Sequence, residues 1–257
     1  MANELSIEDR RGKASELLSR QGFMPLTDLV RALAVSESTI RRDLEVLEEQ
    51  GHIRRTHGGA VYVKDSSAVR LAFSDRETTM ADAKLAIARA VADLIPVGQT
   101  VMINGGTTCF QVAGAVAGKR LNVITNSVPI ASLLSADTAT EVTMIGGYVY
   151  PRTGVALGTT ALQQLEVLHA TQLVLSCAGV DADGAYNANQ MMVEVERRMT
   201  QAAEEVILAA DHTKFGKRSV VKLFELSEVD VIVTDAGADA ATRAWLDALG
   251  TKVIYAE

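Results

Sequence analysis

Residues 35–44 read Val-Ser-Glu-Ser-Thr-Ile-Arg-Arg-Asp-Leu, and this stretch decides how the N-terminal part of the chain folds. Ser36 is a favourable N-cap, and the apolar residues from Ile40 to Leu47 recur at helical spacing, which predicts a helix over 37–49. A helix that enters the major groove of DNA presents hydroxyls to phosphates and arginines to guanine edges. We therefore predict recognition-helix contacts from Ser36, Ser38, Thr39, Arg41 and Arg42.

The sequence on both sides of this helix completes a winged helix-turn-helix pattern. Residues 7–21 and 26–33 each carry apolar side chains at helical spacing. Two short extended runs flank Gly58-Gly59, which predicts a β-hairpin, the wing. Positive charge in the wing would lie near phosphates or the minor groove, and it comes from Arg54, Arg55 and His57. The alternative is a solvated three-helix module whose charges have no DNA partner.

The distribution of charge supports two parts with different roles. The chain of 257 residues holds 25 Lys and Arg against 32 Asp and Glu, and a net charge of −7 taken whole argues against a nucleic-acid partner. The first 64 residues, however, hold ten basic and ten acidic residues, so the excess of acid lies entirely in the rest. We predict a DNA-binding domain over 1–63, a linker over 64–76 and a ligand-sensing domain over 77–257.

Composition excludes several other classes of protein. Apolar residues make up 48% of the chain and charged residues 22%, which is typical of a globular protein. The two cysteines, Cys109 and Cys177, lack the spacing of metal ligands and suit a reducing compartment. The polar start of the chain does not resemble a secretory signal, and no stretch has the ~20 continuous apolar residues that a membrane helix needs. The sequence therefore predicts a cytoplasmic protein without metal, cofactor or membrane partner.

The second part of the chain alternates short apolar strands with helices, which indicates a mostly parallel α/β sheet. Such sheets bind ligands at the C-terminal ends of their strands. Small residues there let backbone N–H groups approach a phosphate, and Lys84 would add positive charge. Five predicted strand ends have this character: Asn104-Gly105-Gly106-Thr107-Thr108, Thr125-Asn126-Ser127, Gly146-Gly147, Ala178-Gly179-Val180-Asp181 and Asp211-His212-Thr213-Lys214.

Each of these strand ends is a weak signal when taken alone. Gly105 to Thr108 is also compatible with an ordinary tight turn, and Lys214 with a solvated surface lysine. The glycine patterns of P-loop and dinucleotide-binding sites are absent from the sequence. The five strand ends are expected to converge on one edge of the sheet, and this convergence predicts a single site for an anionic ligand.

In these residues the chain resembles the DeoR/GlpR family of bacterial repressors. The resemblance rests on residues 35–44, followed by Leu47, Gly51, Ile53, Arg55 and His57-Gly58-Gly59-Ala60. The C-terminal domain of that family is similar to ribose-5-phosphate isomerase and binds a phosphorylated sugar or polyol as inducer. Its loop Asp-x-Gly-Thr-Thr falls on Asn104 to Thr108, its Thr-Asn-Ser on Thr125 to Ser127, its Gly-Gly on Gly146-Gly147, and its Asp-x-x-Lys on Asp211 and Lys214.

The resemblance implies a sequence-specific regulator of transcription, a repressor of a sugar or polyol catabolic operon. It further implies a homodimer or homotetramer that binds double-stranded operator DNA and responds to a phosphorylated, sugar-like effector. The alternative function is a sugar-phosphate isomerase fused to a DNA-binding module, with Asp181 or Asp211 as its base. Asn104 stands where the family usually has Asp, which weakens the case for general-base catalysis, and no catalytic residue is predicted.

Overall fold

The computed structural model describes residues 7–21, 23–49, 53–56, 59–62, 76 and 78–257. The chain divides into two compact units, Met1–Ala72 and Phe73–Glu257. The predicted wing residue His57 and residues 64–75 of the predicted linker lie outside the described residues. In the part of the chain that is described, no helix combines the length and apolar character needed to cross a membrane.

The N-terminal unit is a winged helix-turn-helix, as its sequence predicts. Its elements are α1 (Ile7–Gln21), β1 (Phe23–Pro25), α2 (Leu26–Leu33), α3 (Glu37–Glu49), β2 (Ile53–Thr56) and β3 (Gly59–Tyr62). The three strands form an antiparallel sheet in the order β1-β3-β2. Ala34 takes a left-handed conformation that ends α2 before α3 begins. The predicted inner face of α3 is buried at Ile40, Leu44 and Leu47, where it packs in one core with Leu18.

The C-terminal unit is built on a parallel sheet of seven strands. The strands of this unit, including those outside the main sheet, are β4 (Thr100–Ile103), β5 (Asn122–Thr125), β6 (Glu141–Met144), β7 (Tyr148–Tyr150), β8 (Val155–Leu157), β9 (Ala170–Leu175), β10 (Gly179–Asp181), β11 (Gly184–Asn187), β12 (Ala203–Ala209), β13 (Val221–Phe224), β14 (Val231–Asp235) and β15 (Lys252–Ala256). Its longer helices are α4 (Ala81–Asp93), α5 (Thr107–Val116), α6 (Val128–Leu134), α7 (Thr159–Leu165), α8 (Gln190–Gln201) and α9 (Ala240–Asp247). The main sheet has the order β15-β14-β12-β9-β4-β5-β6, and all its neighbouring strands run parallel.

Helices cover both faces of this sheet, because successive side chains of a strand point to opposite faces. In β4, Val101 and Ile103 belong to the core cluster that includes α4, α5 and α6. Met102 between them belongs to the other cluster, which includes side chains of α7, α8 and α9. The three-layer arrangement confirms the predicted α/β class and places the carboxyl ends of the central strands at one edge.

Two antiparallel elements beside the main sheet were not predicted. The strands β7 and β8 form a hairpin, and β10, β11 and β13 form a small sheet. The predicted strand end at Ala178–Asp181 follows β9 and contains a further short strand, because residues 179–181 are β10. These strands have only three or four residues each, which is too short for an alternation of apolar and polar positions to predict them.

Candidate functional site

A cavity of about 250 Å³ opens where β4, β9 and β12 end. Seven of the predicted effector-binding residues line it: Lys84, Gly105, Gly106, Thr107, Thr108, Asp211 and Lys214. Ala178 and Thr213, from two of the predicted strand ends, also line it, and eight further described lining residues lie outside those strand ends: Arg76, Thr79, Met80, Thr153, Ser176, Cys177, Asn187 and Met192. Ser176 and Cys177 follow directly after β9, which ends at Leu175.

The loop between β4 and α5 supplies backbone donors to this cavity. Thr107 and Thr108 are buried and begin α5, whose first N–H groups have no partners within the helix. The partial positive charge of the helix N-terminus lies at the same place. A side chain at Gly105 would overlap Val155, and Gly106 takes a φ of +130° that favours glycine. Both glycines are therefore needed for this loop to keep its shape.

Among the described residues, three basic side chains and one carboxylate line the cavity. Lys84 is only 4% exposed, and its Nζ donates to the carbonyl oxygens of Thr79, at 2.6 Å, and Arg76. Lys214 Nζ lies 4.0 Å from the buried carboxylate of Asp211. Arg76 is exposed, and partial desolvation together with the neighbouring positive charge of Arg152 lowers the pKa of its guanidinium. The balance of charge, together with the helix N-terminus, favours an anionic ligand.

A buried carboxyl group lies beneath the cavity. Glu196 Oε1 accepts hydrogen bonds from Asn104 Nδ2 at 3.1 Å and Asn187 Nδ2 at 2.8 Å. Burial raises the pKa of Glu196 to about 8, although both amide hydrogen bonds favour its charged form. Asn104, a predicted effector contact, thus lies below the cavity and joins β4 to α8 through Glu196. The sequence carried a faint signal, a glutamate three residues after Val193 on the buried side of α8.

The remaining predicted effector residues do not line the cavity and instead make backbone and side-chain hydrogen bonds around it. Thr125 Oγ1 donates to the carbonyl oxygen of Ile103 at 2.6 Å, and Ser127 N donates to Thr125 Oγ1 at 3.1 Å. Asn126 exchanges two hydrogen bonds with the backbone of Ala156 in β8. Beyond them, the peptides of Gly146 and Gly147 follow β6, and Gly146 N donates to Gln164 Oε1 at 3.0 Å. These segments hold the β7–β8 hairpin beside the loop that follows β4.

The candidate DNA-binding surface lies at the start of α3. Ser36 Oγ accepts a hydrogen bond from Thr39 N at 3.2 Å and lies within 2.9 Å of the hydroxyls of Ser38 and Thr39. Arg41 and Arg42 are exposed, and Arg41 Nη2 pairs with Glu37 at 2.6 Å. The structure therefore gathers the five predicted helix residues at one exposed end of α3.

Acidic residues of α3 hold two other arginine-bearing segments. The wing residue Arg55 pairs with Glu45 and Glu48, at 2.7 Å each. The side chain of Arg54 is not among those described. Asp43 is buried, yet hydrogen bonds from Arg10 and Arg11 outweigh its burial and hold the pKa of its carboxyl below the usual value. These pairs join α1 and the wing to the recognition helix.

Family comparisons agree with this architecture. The model of the DeoR-like helix-turn-helix domain matches residues 10–66, and that of the DeoR C-terminal sensor domain matches residues 79–236. The HTH-type transcriptional repressor CsqR of Escherichia coli is 34% identical over 98% of this chain and 96% of its own length. The glycerol-3-phosphate regulon repressor of Escherichia coli is 35% identical over 86% of this chain and 88% of its own.

Solved structures with a more distant likeness include two α/β proteins. Ribose 5-phosphate isomerase A from Neisseria gonorrhoeae has a TM-score of 0.40 at 17% identity, over 52% of this chain and 53% of its own. The eIF2B delta subunit from Chaetomium thermophilum has a TM-score of 0.41 at 16% identity, over 84% and 72%. The family matches extend over most of the chain and include both units. The chain belongs to the DeoR family of helix-turn-helix transcriptional regulators.

Proposed function

We propose that this DeoR-family regulator represses a carbohydrate operon, and that a phosphorylated sugar or polyol binds its cavity and releases it from operator DNA. The observation that carries the proposal is the cavity at the edge of the parallel sheet, where Lys84, Lys214 and the start of α5 converge. A relative named as the glycerol-3-phosphate regulon repressor and another named as a putative aga operon repressor support it.

The chemistry of the cavity suits a small phosphate ester. The phosphate binds the N–H groups at the start of α5 and the ammonium groups of Lys84 and Lys214. The hydroxyls of the ligand bind polar lining groups such as Asp211, Ser176 and Asn187. The cavity, at about 250 Å³, is below the roughly 300–1,000 Å³ of pockets for drug-sized ligands, which favours a single sugar or polyol unit.

The DNA-binding role is assigned to the exposed end of α3 and to the wing. The residues proposed to face the operator are Ser36, Ser38, Thr39, Arg41, Arg42, Arg54, Arg55 and His57. Arg55 exchanges its two carboxylate partners for DNA phosphates when the wing binds. A cytoplasmic homodimer or homotetramer would hold two or more recognition helices at operator half-sites.

The enzymatic alternative is not favoured, because the relatives are named as transcriptional repressors. Asp181, one candidate base, does not line the cavity and accepts hydrogen bonds from Tyr186 and Arg218. Asp211 lines the cavity, but Thr213 N donates to its carboxylate at 3.1 Å and Thr213 Oγ1 donates to the same oxygen.

The direct test is binding of the full-length protein to labelled DNA from upstream of its own gene, at ~150 mM salt, against scrambled DNA of equal length. Fluorescence anisotropy is then repeated with ribose 5-phosphate, fructose 6-phosphate, glycerol 3-phosphate and inorganic phosphate. We expect selective binding that at least one ester weakens and inorganic phosphate does not. Equal affinity for both DNAs, or an operator complex that no ester affects, would contradict the proposal.

The recognition helix has its own test in Arg42→Ala. Loss of a base contact is expected to weaken specific binding by about 1–3 kcal/mol and leave binding to scrambled DNA nearly unchanged. Arg120→Ala, which removes an exposed arginine of the sensor unit, serves as the charge-matched control and should bind as wild type does. An equal loss of affinity for both DNAs would mean that Arg42 contacts a phosphate rather than a base.

A further inference from the structure

Thr153 lies in the wall of the proposed effector cavity, and its buried hydroxyl has no partner in the part of the chain that the structure describes. The residue is 8% exposed, and its Oγ1 has no hydrogen-bond partner among the described residues. Three other buried side-chain atoms share this state, on Asn126, Gln172 and Thr234, but none of those residues lines the cavity. A buried hydroxyl without a partner destabilises the protein, so its presence at a ligand-binding wall needs an explanation.

The backbone around Thr153 is tightly held. Thr153 N and Gly154 N both donate to the carbonyl oxygen of Tyr150, at 3.3 Å and 2.9 Å. Gly154 takes a φ of +68°, and its carbonyl oxygen accepts a hydrogen bond from Val128 N at 2.9 Å. This turn cannot shift to give the hydroxyl a protein partner without losing those bonds.

The hairpin that carries Thr153 is also fixed against the anion-binding loop. Val155, two residues further on, packs so closely on Gly105 that a side chain there would overlap it. Asn126 pairs with Ala156 through two hydrogen bonds, and Ser127 forms a β-bridge with Val155. The Thr-Asn-Ser segment, which the sequence predicted as a ligand contact, therefore positions the hairpin that presents Thr153.

We propose that Thr153 is a specificity-determining residue, whose hydroxyl binds a hydroxyl or carbonyl oxygen on the carbon chain of the effector. The inference rests on the proposed function, since it needs a phosphate ester in this cavity. A rotation of about 120° around the Cα–Cβ bond moves Oγ1 to another staggered position, so the hydroxyl can change its direction without backbone movement. The charged end of the ligand binds Lys84, Lys214 and the start of α5, so inorganic phosphate does not need Thr153.

The test compares Thr153→Val, which replaces the hydroxyl with a methyl group of similar size, with Thr153→Ser, which keeps the hydroxyl. In the full-length protein without ligand, Thr153→Val should raise Tm by a few degrees, because a buried polar atom without a partner is removed. The same variant should bind the most stabilising of ribose 5-phosphate, fructose 6-phosphate and glycerol 3-phosphate about tenfold more weakly or worse. Thr153→Ser should keep the wild-type affinity within a few-fold.

The opposite signs of these two effects separate recognition from a merely structural role, which would lower Tm and affinity together. Inorganic phosphate, titrated in the same way, should bind Thr153→Val as it binds wild type. The inference is overturned if Thr153→Val keeps its affinity for the ester, or loses phosphate and ester affinity equally. If no ester raises the Tm of wild type, the proposed function itself fails. A lower Tm of Thr153→Val without ligand is a separate result, and it would show that the hydroxyl has a structural partner.

Discussion

Two helix N-termini in this chain carry the same types of residue and differ in burial. The start of α3 has exposed serines and arginines, whereas the start of α5 has buried threonines and faces the nearly buried Lys84. Both arrangements suit phosphate, because hydroxyls, backbone N–H groups and cations occur together. The difference in burial determines which phosphate compound can reach each site. The exposed start of α3 is accessible to a long duplex, and the buried start of α5 is accessible to a small ester. We propose that the same local chemistry serves DNA at one site and an effector at the other.

The largest expected effect is the response of the two sites to salt. Operator affinity should fall by about 10³-fold or more between 50 and 200 mM salt, because binding of the exposed cations to DNA releases counterions. Affinity for the effector should change less than about tenfold, since buried charges are screened far less. Paired titrations of operator and of the most stabilising ester measure both slopes. A steep slope for the ester would contradict a buried site.

The next effect is that of Lys84→Ala on the effector. Loss of a buried ammonium should weaken binding of the most stabilising ester by about 100-fold, as expected when a charged hydrogen bond is removed. The matched control is Lys119→Ala, because Lys119 Nζ also donates to carbonyl oxygens, those of Ala92 and Ile95, but does not line this cavity. Both variants should lose some stability, and only Lys84→Ala should lose the ligand. Equal ligand affinity in the two variants would place the phosphate elsewhere.

A smaller effect concerns Glu196, the buried carboxyl beneath the proposed effector site, which is bound by two amide groups, whereas the buried carboxyl of Asp43 in α3 is bound by two arginines. The pKa of Glu196 lies near 8 in the folded protein and its ordinary value is 4.5, so the folded state holds the proton more tightly. Stability should therefore decrease as pH rises from about 5 to 8, and Glu196→Gln should remove this decrease. Tm measured from pH 5 to 9 gives the test, with the exposed Glu194→Gln as a control that keeps the wild-type profile. Parallel profiles for wild type and Glu196→Gln would disprove the assignment.

Much of the fold followed from local patterns in the sequence. The cap at Ser36 and the apolar spacing from Ile40 onward predicted α3. Short apolar runs that alternate with helical segments predicted the strands of the main sheet. The hairpin at 148–157 was missed, because its residues carry no alternation and its place depends on contacts with Asn126 and Gly105 far away in sequence.

In the candidate site, too, the local features were predictable from the sequence and the long-range contacts were not. Glycines and hydroxyls directly after β4, and the lysine that follows β12, were predictable because strand ends converge at one edge. The Asn104–Glu196–Asn187 contacts were not, since they join residues up to 92 positions apart. For Thr125 to Ser127, the sequence identified the segment but not its role, which is to hold the hairpin rather than to line the cavity.

We propose that the effector cavity and the DNA-binding surface are coupled, and operator affinity in the presence of effector measures that coupling. Anisotropy with full-length wild type and Lys84→Ala, with and without the ester that raises the wild-type Tm most, is the measurement. The prediction is that saturating ester weakens wild-type binding by roughly 5–150-fold, the usual range for coupled sites, and leaves Lys84→Ala unchanged. An ester that binds wild type and leaves its operator affinity unaltered would show that the two sites are not coupled.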